Sequence, residues 1–386
     1  MSKKNDTDNH IEIEKMESML TDCVLCPRNC HADRINGRWG RCHETAEIVV
    51  ARAALHMWEE PCISGDAGSG AVFFSGCPMG CVFCQNHNIA EAKAGKTITV
   101  ERLSEIFLEL QEKGAANINL VTPTHYVLQI IEALDLARKE GLSLPIVYNT
   151  SGYEKPETIR MLDGYVDVYL PDFKYMESEL AAAYSGAPDY PKYAKAAVKE
   201  MLHQTGNIQI DKDTGMIQKG VIVRHLVLPG HVKNSKAVIK YLLETYQDQI
   251  LISIMNQYTP MPQVSGDPLL SRKVTKREYE KVIDYALELG MEDGFIRQAK
   301  FRNIIAFRDA NRGKAQDIIR RCFQFLCQLY QIIAADGFEI AVFNAGNQGG
   351  VDPGFLAQLL LCHPQVRPHI ANPVARMSVK LLCRHI

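Results

Sequence analysis

The sequence has no apolar run long enough to cross a membrane and no strong excess of charge of either sign. Its 386 residues include 43 Lys and Arg against 45 Asp and Glu, which gives a formal net charge of −2. A membrane span needs about 20 consecutive apolar residues, and binding to nucleic acid or an anionic membrane calls for a basic surface. We therefore expect neither kind of partner. The opening residues 1–6 are polar with no apolar segment behind them, which is untypical of a secretory leader and predicts a cytoplasmic protein.

Cysteine, by contrast, is abundant: eight of the twelve cysteines lie before residue 85. A reducing compartment disfavours disulfides, so close spacings predict metal ligands. Cys77, Cys81 and Cys84 are separated by three and two residues. Such a loop can direct three thiolates onto an iron–sulfur cluster and leave one iron without a protein ligand. Gly76 and Gly80 suit a loop that needs unusual backbone angles. The alternative, a structural zinc site, normally requires four ligands.

The segment Ser75–His87 resembles the cluster loop of radical S-adenosylmethionine (SAM) enzymes, and we use that name for it. Phe83 matches the aromatic residue usual before the third cysteine. Gln85–Asn86 with Ile89 resembles the branch related to pyruvate formate-lyase activating enzymes. The resemblance implies a [4Fe-4S] cluster whose open iron binds the amino and carboxylate groups of SAM. It further implies reductive cleavage of SAM to methionine and a 5′-deoxyadenosyl radical, with electrons from a donor such as flavodoxin or ferredoxin.

A second cysteine group precedes the cluster loop and consists of Cys23, Cys26, Cys30 and Cys42, with gaps of two, three and eleven residues. We call residues 23–42 the cysteine module. Four thiols on a loop with Gly and Pro can surround one ion or one small cluster without a hydrophobic core. Buried free thiols are the alternative. The spacing does not distinguish zinc from a second iron–sulfur cluster. Cys62 has no close partner and is predicted to be a small buried side chain.

After the cluster loop, strand patterns alternate with helix patterns. Short apolar runs predict strands at 71–74, 117–121, 144–148, 166–170, 221–228 and 250–254. Helical periodicity fills the intervals, with Thr99 and Thr275 as predicted N-caps. Strands separated by helices pair in parallel with right-handed crossovers. We therefore predict an α/β fold, a partial (α/β)6 barrel with an N-terminal cysteine-rich metal-binding segment. The expected divisions are 1–64 for that segment, 65–296 for the barrel and 297–386 for a C-terminal extension.

Polar residues at the strand ends are predicted to bind a ligand, because ligands of parallel barrels bind at the carboxyl ends of the strands. Asp172 and Lys174 point to the same face and can hold opposite poles of a zwitterion. Arg224 lies in an otherwise apolar strand and needs an anion. The resemblance implies that Arg224 binds the SAM carboxylate. It also matches Asp172-Phe173-Lys174 to the Asp-Leu-Lys of the family, and the segment containing Asn149 to its Thr-Asn-Gly.

The chain departs from the activating-enzyme branch at two strand ends. Residues 122–125, Thr-Pro-Thr-His, stand where the branch has Gly-Gly-Glu. By position, Thr122 and Thr124 are expected to contact the SAM amino group, with His125 as a third candidate; the alternative is that the hydroxyls cap the following helix. Residues 255–260 stand where the branch has Pro-Tyr-His, so Asn256 or Gln257 is expected to contact the ribose instead.

The leading hypothesis is therefore a radical SAM oxidoreductase that activates a glycyl radical enzyme, whose glycine-bearing loop would enter the barrel mouth. Two alternatives stay open. One is a radical SAM enzyme that modifies another peptide or a small metabolite. The other is a non-catalytic iron–sulfur, zinc or electron-transfer protein.

The resemblance covers roughly residues 20–296 and then stops. From residue 297 onward twelve Lys or Arg stand against five Asp or Glu, whereas residues 1–296 contain the other 31 basic and 40 acidic residues. This change of sign predicts either a basic accessory domain or a shifted reading frame near residue 297. The other frames of the gene distinguish these two origins.

Overall fold

The structure is a computed structural model that describes residues 18–291, 294–298 and 305–306. The predicted C-terminal extension, 297–386, lies outside these residues except for the backbone of 297–298 and 305–306.

An eleven-stranded sheet organises the described residues. Its strands are β1 (Ile48–His56), β2 (Ser69–Phe74), β3 (Lys96–Ile98), β4 (Ile118–Val121), β5 (Ile146–Thr150), β6 (Val168–Pro171), β7 (Gln209–Ile210), β8 (Ile217–Leu226), β9 (Leu251–Asn256), β10 (Gly294–Gln298) and β11 (Ile305–Ala306). The order is β11-β10-β9-β8-β6-β5-β4-β2-β1-β3, with β7 paired to β8. Strands β2, β4, β5, β6, β8, β9 and β10 run parallel.

Within the described residues the path of this mostly parallel sheet ends at β3 on one side and at β11 on the other, so the sheet is not a closed barrel. The predicted α/β fold with a partial parallel barrel is confirmed. All six predicted strands are present, although β5 begins at Ile146 and β8 at Ile217. Strand β1 precedes the parallel strands and pairs antiparallel with β2.

Helices connect and cover the strands. They are α1 (Pro61–Ser64), α2 (His87–Ala90), α3 (Val100–Glu112), α4 (Val127–Lys139), α5 (Pro156–Arg160), α6 (Ser178–Ser185), α7 (Tyr190–Thr205), α8 (Val232–Tyr246) and α9 (Lys276–Glu288). Both predicted N-caps are confirmed: the Thr99 hydroxyl accepts from the backbone of Arg102, and Thr275 forms a capping box with Glu278. None of the helices in the described part of the chain has the length and apolar character needed to cross a membrane.

The two faces of the sheet carry different cores, because successive side chains of a strand point to opposite faces. The face covered by the helices holds the main core, which includes Tyr148, Tyr169, Val223 and Ile254. The opposite, inner face holds a smaller core, formed by Val147, Val168, Leu170, Ile217, Ile222, Leu251 and Phe295. Cys62 and Ile63 of α1 belong to this inner core. The prediction of a buried Cys62 is confirmed, and α1 packs on the inner face of the sheet.

Candidate functional site

The cluster loop leaves the end of β2 and brings its three cysteines together. Cys77, Cys81 and Cys84 are half-buried, and the charge of the Cys81 thiolate acts on both of the others. Burial raises the pKa of Cys77, and it raises the pKa of Cys84 to about 12. Thiolates at these positions therefore need compensating positive charge, which bound metal supplies.

Gly76 and Gly80 give the loop its shape. Their φ angles are 81° and 64°, in the left-handed region where glycine alone is unstrained. A Cβ atom at Gly76 would also collide with the side chain of Glu44 and the carbonyl of Cys42. The predicted need for glycine is confirmed at both positions, and Gly76 is where the cysteine module packs directly against the cluster loop.

Three thiol ligands suit an iron–sulfur cluster with one open iron, whereas a structural zinc ion normally takes four ligands. A hydroxyl donor is also in place, since Ser185 Oγ donates to Cys81 Sγ over 3.0 Å.

Phe83 and Gln257 lie against the cluster loop. Phe83 is 6% exposed, and its ring contacts those of Tyr184 and Tyr258 at centroid distances of 6.4 and 6.1 Å. The carbonyl of Gln257 accepts from Gln85 Nε2 at 2.8 Å. This hydrogen bond joins the residue after β9 to Gln85, the residue that follows Cys84. Gln257 therefore lies next to the cluster loop.

Arg28 of the cysteine module is a functional candidate that the sequence did not reveal. Its guanidinium donates to the carbonyl oxygens of Pro78 (2.7 Å), Met79 (3.0 Å) and Ser185 (2.8 Å), and to that of Gly186. Pro78 and Met79 lie between the first two cysteines of the cluster loop. Because these contacts join residues about 50 and 157 positions apart, no local pattern predicts them.

The four cysteines of the module converge as predicted. Cys23, Cys26, Cys30 and Cys42 line one cavity, together with Leu25, Ala32, Arg34, Gly40 and His125. Burial raises the pKa of Cys26 to about 12 and also raises that of Cys42. Cys30 is exposed, so buried free thiols do not describe the whole group.

His125 faces this cavity. The residue is 2% exposed, and its Nε2 lies 2.6 Å from the carbonyl oxygen of Ser75. Because that oxygen can only accept, Nε2 carries the hydrogen of the neutral ring and donates it. Nδ1 has no hydrogen-bond partner among the described residues. Burial, followed by the charge of Arg34, lowers the pKa of His125 to about 3, so the ring is neutral. His125 therefore lies against the cysteine module and the start of the cluster loop.

The side chain of Thr124 is also bonded within the protein. It is 1% exposed, and its hydroxyl donates to Glu154 Oε1 at 2.6 Å. The hydroxyl of Thr150 donates to the same oxygen. No side chain caps the turn Thr124–Tyr126, so the capping alternative is wrong for Thr124. Thr122 adopts a φ of 58° and donates its N–H to the carbonyl of Asn149 at 2.9 Å.

Arg224 is the centre of a charged network on the inner face. Its Nη1 lies 3.2 Å from Glu59 Oε2, and its Nε lies 3.1 Å from Asp172 Oδ1. Nη2 donates to Asn149 Oδ1 at 2.5 Å. Glu59 Oε1 in turn accepts from the amides of Asn119 and Asn149. Arg224 thus has the anionic partner that the sequence predicted, because the chain itself supplies two carboxylates, those of Glu59 and Asp172.

Lys174 links that network to the cluster loop. Its ammonium lies 2.5 Å from Asp172 Oδ2, and its charge acts on Cys77 and Cys84. Burial opposes ionisation, but Lys174 and Arg224 together outweigh it and hold the pKa of Asp172 below its ordinary value. Asp172, Lys174 and Arg224 keep exposed fractions of 19%, 16% and 13%. The predicted trio therefore lies together and partly exposed, with Lys174 within electrostatic range of the cluster loop. We call these three residues the charged pocket.

Comparisons with known proteins bear on this site. The sequence model of the radical SAM superfamily matches residues 71–242, which include the three cysteines of the cluster loop. An uncharacterized protein of Methanocaldococcus jannaschii is 29% identical over 291 residues, covering 73% of this chain and 79% of that protein.

Two solved structures superpose in part. A radical SAM methyltransferase from Sphaerobacter thermophilus does so with a TM-score of 0.43 and 15% identity, over 61% of this chain and 67% of that chain. A domain of a pyruvate-formate lyase-activating enzyme from Bacteroides vulgatus gives a TM-score of 0.34 and 14% identity, over 47% of this chain and 99% of that chain.

Proposed function

We propose that this chain is a member of the radical SAM superfamily, whose sequence model matches residues 71–242. We further propose that it binds a [4Fe-4S] cluster through Cys77, Cys81 and Cys84 and cleaves SAM in the adjoining pocket. When held by these cysteines and reduced by an external donor, the cluster would supply the electron that splits SAM into methionine and a 5′-deoxyadenosyl radical able to remove a hydrogen atom from the substrate. The observation that carries the proposal is the position of Lys174, which contacts Asp172 in the charged pocket and acts electrostatically on Cys77 and Cys84.

The pocket residues suit the amino-acid end of SAM. Arg224 and Lys174 supply positive charge for a carboxylate, and Asp172 supplies negative charge for an ammonium group. Asn149 holds the Arg224 guanidinium in place through its side-chain oxygen. Thr122 and Gln257 remain proposed contacts, through the carbonyl or hydroxyl of the first and the amide of the second. Burial and the hydrogen bond to Glu154 argue against a direct contact from Thr124.

For the substrate we propose the glycine-bearing loop of a glycyl radical enzyme, which the likeness of Gln85–Asn86 to the activating-enzyme branch favours. Another peptide or a small metabolite is the second candidate. Electron paramagnetic resonance and isotope transfer distinguish the two. A reductant of the flavodoxin or ferredoxin kind is required in either case.

We also propose a second metal centre at Cys23, Cys26, Cys30 and Cys42. The support is their convergence on one cavity. Four thiolates suit either a zinc ion or a second iron–sulfur cluster.

Release of 5′-deoxyadenosine tests the central proposal. The full chain is reconstituted anaerobically with iron and sulfide, reduced with dithionite, supplied with SAM, and the products are quantified by mass spectrometry. We expect 5′-deoxyadenosine from the wild type, none from Cys81→Ala, and wild-type yields from the matched control Cys62→Ala. A loaded protein that holds four or more irons yet makes no 5′-deoxyadenosine would refute the proposal. So would full activity in Cys81→Ala.

The substrate assignment has its own measurement. After reaction with SAM, candidate glycyl radical enzymes are examined by electron paramagnetic resonance for the glycyl doublet. A doublet supports activation. Deuterium transfer into 5′-deoxyadenosine from a labelled peptide or metabolite, without a doublet, favours the second candidate.

A further inference from the structure

The cysteine module makes its closest polar contacts with the cluster loop through one side chain. Arg28 is half-buried and uses Nε, Nη1 and Nη2 to donate to four backbone carbonyls. Two of these belong to Pro78 and Met79, the residues that follow Cys77. A planar guanidinium with several fixed donors can hold several acceptors at once, which an ammonium group cannot do with the same geometry. Arg28 therefore fixes the backbone between Cys77 and Cys81.

A second contact carries the effect of Arg28 to a cysteine sulfur. The carbonyl of Ser185 accepts from Arg28 Nη2 at 2.8 Å, and the hydroxyl of the same serine donates to Cys81 Sγ at 3.0 Å. Hydrogen bonds to the sulfur ligands of an iron–sulfur cluster tune its reduction potential. A displacement of Arg28 would thus alter both the loop that holds the thiols and a donor to one of them.

The position of Arg28 in the chain connects this contact to the module. It lies between Cys26 and Cys30, two of the four thiols that line the module's cavity. The ring of Tyr153 lies under its guanidinium, 5.1 Å from ring centroid to Cζ. Any change in the order of the segment from Cys26 to Cys30 therefore changes the position of Arg28 directly.

An independent route runs through His125. Arg34 Nη1 donates to the carbonyl of His125 at 2.6 Å, and the His125 ring is hydrogen-bonded to the carbonyl of Ser75, two residues before Cys77. The module is thus linked to the cluster loop through His125 before the first cysteine, and it contacts the loop directly through Arg28 between the first two. A separately folded metal-binding appendage would not need contacts on both sides of a cluster ligand.

From this geometry we infer that Arg28 is a positioning residue of the radical SAM cluster, through which the cysteine module sets the geometry and reduction potential of the centre held by Cys77, Cys81 and Cys84. The inference rests on the proposed cluster at those cysteines and assigns the module a role in the same reaction. Arg28 acts through Pro78, Met79 and Ser185, not on the substrate.

The test compares Arg28→Ala, Arg28→Lys and Arg38→Ala in the full chain. Arg38→Ala is the matched control, because Arg38 is an exposed arginine of the same module and its replacement removes the same charge. For each protein, the electron paramagnetic resonance spectrum of the reduced centre is recorded with and without SAM, its midpoint potential is titrated, and 5′-deoxyadenosine is quantified per iron bound. The same spectra of Cys26→Ala identify signals from the module itself.

We expect Arg28→Ala to shift the spectrum and the midpoint potential of the Cys77 centre and to lower 5′-deoxyadenosine per iron at least tenfold. Arg28→Lys should show a smaller shift of the same sign, and Arg38→Ala none. Wild-type spectra and potential in both Arg28 variants would overturn the inference. If Arg28→Ala does not fold, Arg28→Lys decides alone, since it keeps the charge.

Failure of the proposed function looks different. A wild-type protein with a normal spectrum that releases no 5′-deoxyadenosine refutes SAM cleavage, while the spectral comparison of the Arg28 variants still decides their positioning role.

Discussion

Replacing Glu154 by glutamine should remove a pH dependence of stability from this fold. Glu154 is fully buried, and its Oε1 accepts hydrogen bonds from Thr124 and Thr150. Burial raises its pKa from 4.5 to about 7, against the opposing effect of the two hydroxyl donors. Between these two pKa values the folded chain binds a proton that the unfolded chain has lost. Stability is therefore greatest below about pH 4.5 and decreases as the pH rises through about 7.

The size of the effect follows from the two pKa values. Their difference corresponds to about 3 kcal/mol in the free energy of unfolding, at about 1.4 kcal/mol per pH unit. Glu154→Gln keeps the length of the side chain and an oxygen for the two hydroxyls but has no proton to lose in this range. The variant should therefore lack this slope, even though its stability at any one pH also depends on how its amide group is accommodated.

Urea unfolding followed by circular dichroism between pH 5 and 8, under anaerobic conditions, measures the slope. The control is Glu157→Gln, because Glu157 lies three residues away with its side chain 71% exposed, and it should leave the slope of the wild type unchanged. Equal slopes in the wild type and Glu154→Gln would refute the reasoning, since the carboxyl would then titrate alike in the folded and unfolded chains.

Two further variants test the site. Arg224→Met should destabilise the fold by about 3–5 kcal/mol, because it leaves the Glu59 and Asp172 carboxylates without their shared cation; a loss below about 1 kcal/mol in urea unfolding would contradict the network. Gly76→Ala should lower the iron bound after reconstitution several-fold, because its Cβ meets Glu44 and the Cys42 carbonyl. Gly114→Ala is its control, since Gly114 has a similar φ of 78° but open space around the added atom, and equal iron contents in the two variants would exclude a steric cause.

The sequence predicted those parts of the fold that depend on local patterns. The apolar runs ending at Val121, Leu170 and Ile254 predicted buried parallel strands, because both faces of such a strand are covered. Thr99 and Thr275 marked helix starts, since a cap and its partner lie within three residues of each other. The two-residue β7 and the four-residue α1 were not predicted, because elements of that length carry no periodicity.

The candidate site was predictable where a single segment contains it, as with Cys77, Cys81 and Cys84. The partners of those residues were not, because they come from distant parts of the chain. Arg28 contacts a carbonyl 51 residues away, and Glu59 reaches Arg224 across 165 residues. Thr124 is buried and donates to Glu154, but no local pattern distinguishes it from an exposed threonine at a strand end.

Glu59 changes what the pocket can be expected to bind. On sequence grounds, Arg224 needed an external anion, but Glu59 and Asp172 already balance the charges of Arg224 and Lys174. A ligand that brings only a carboxylate would add an uncompensated negative charge beside two partly buried acids, which is costly at low dielectric constant. A zwitterion, such as the amino-acid end of SAM, can exchange partners with both pairs and leave the net charge unchanged. The balance of these four side chains therefore favours an α-amino acid group over a simple carboxylate.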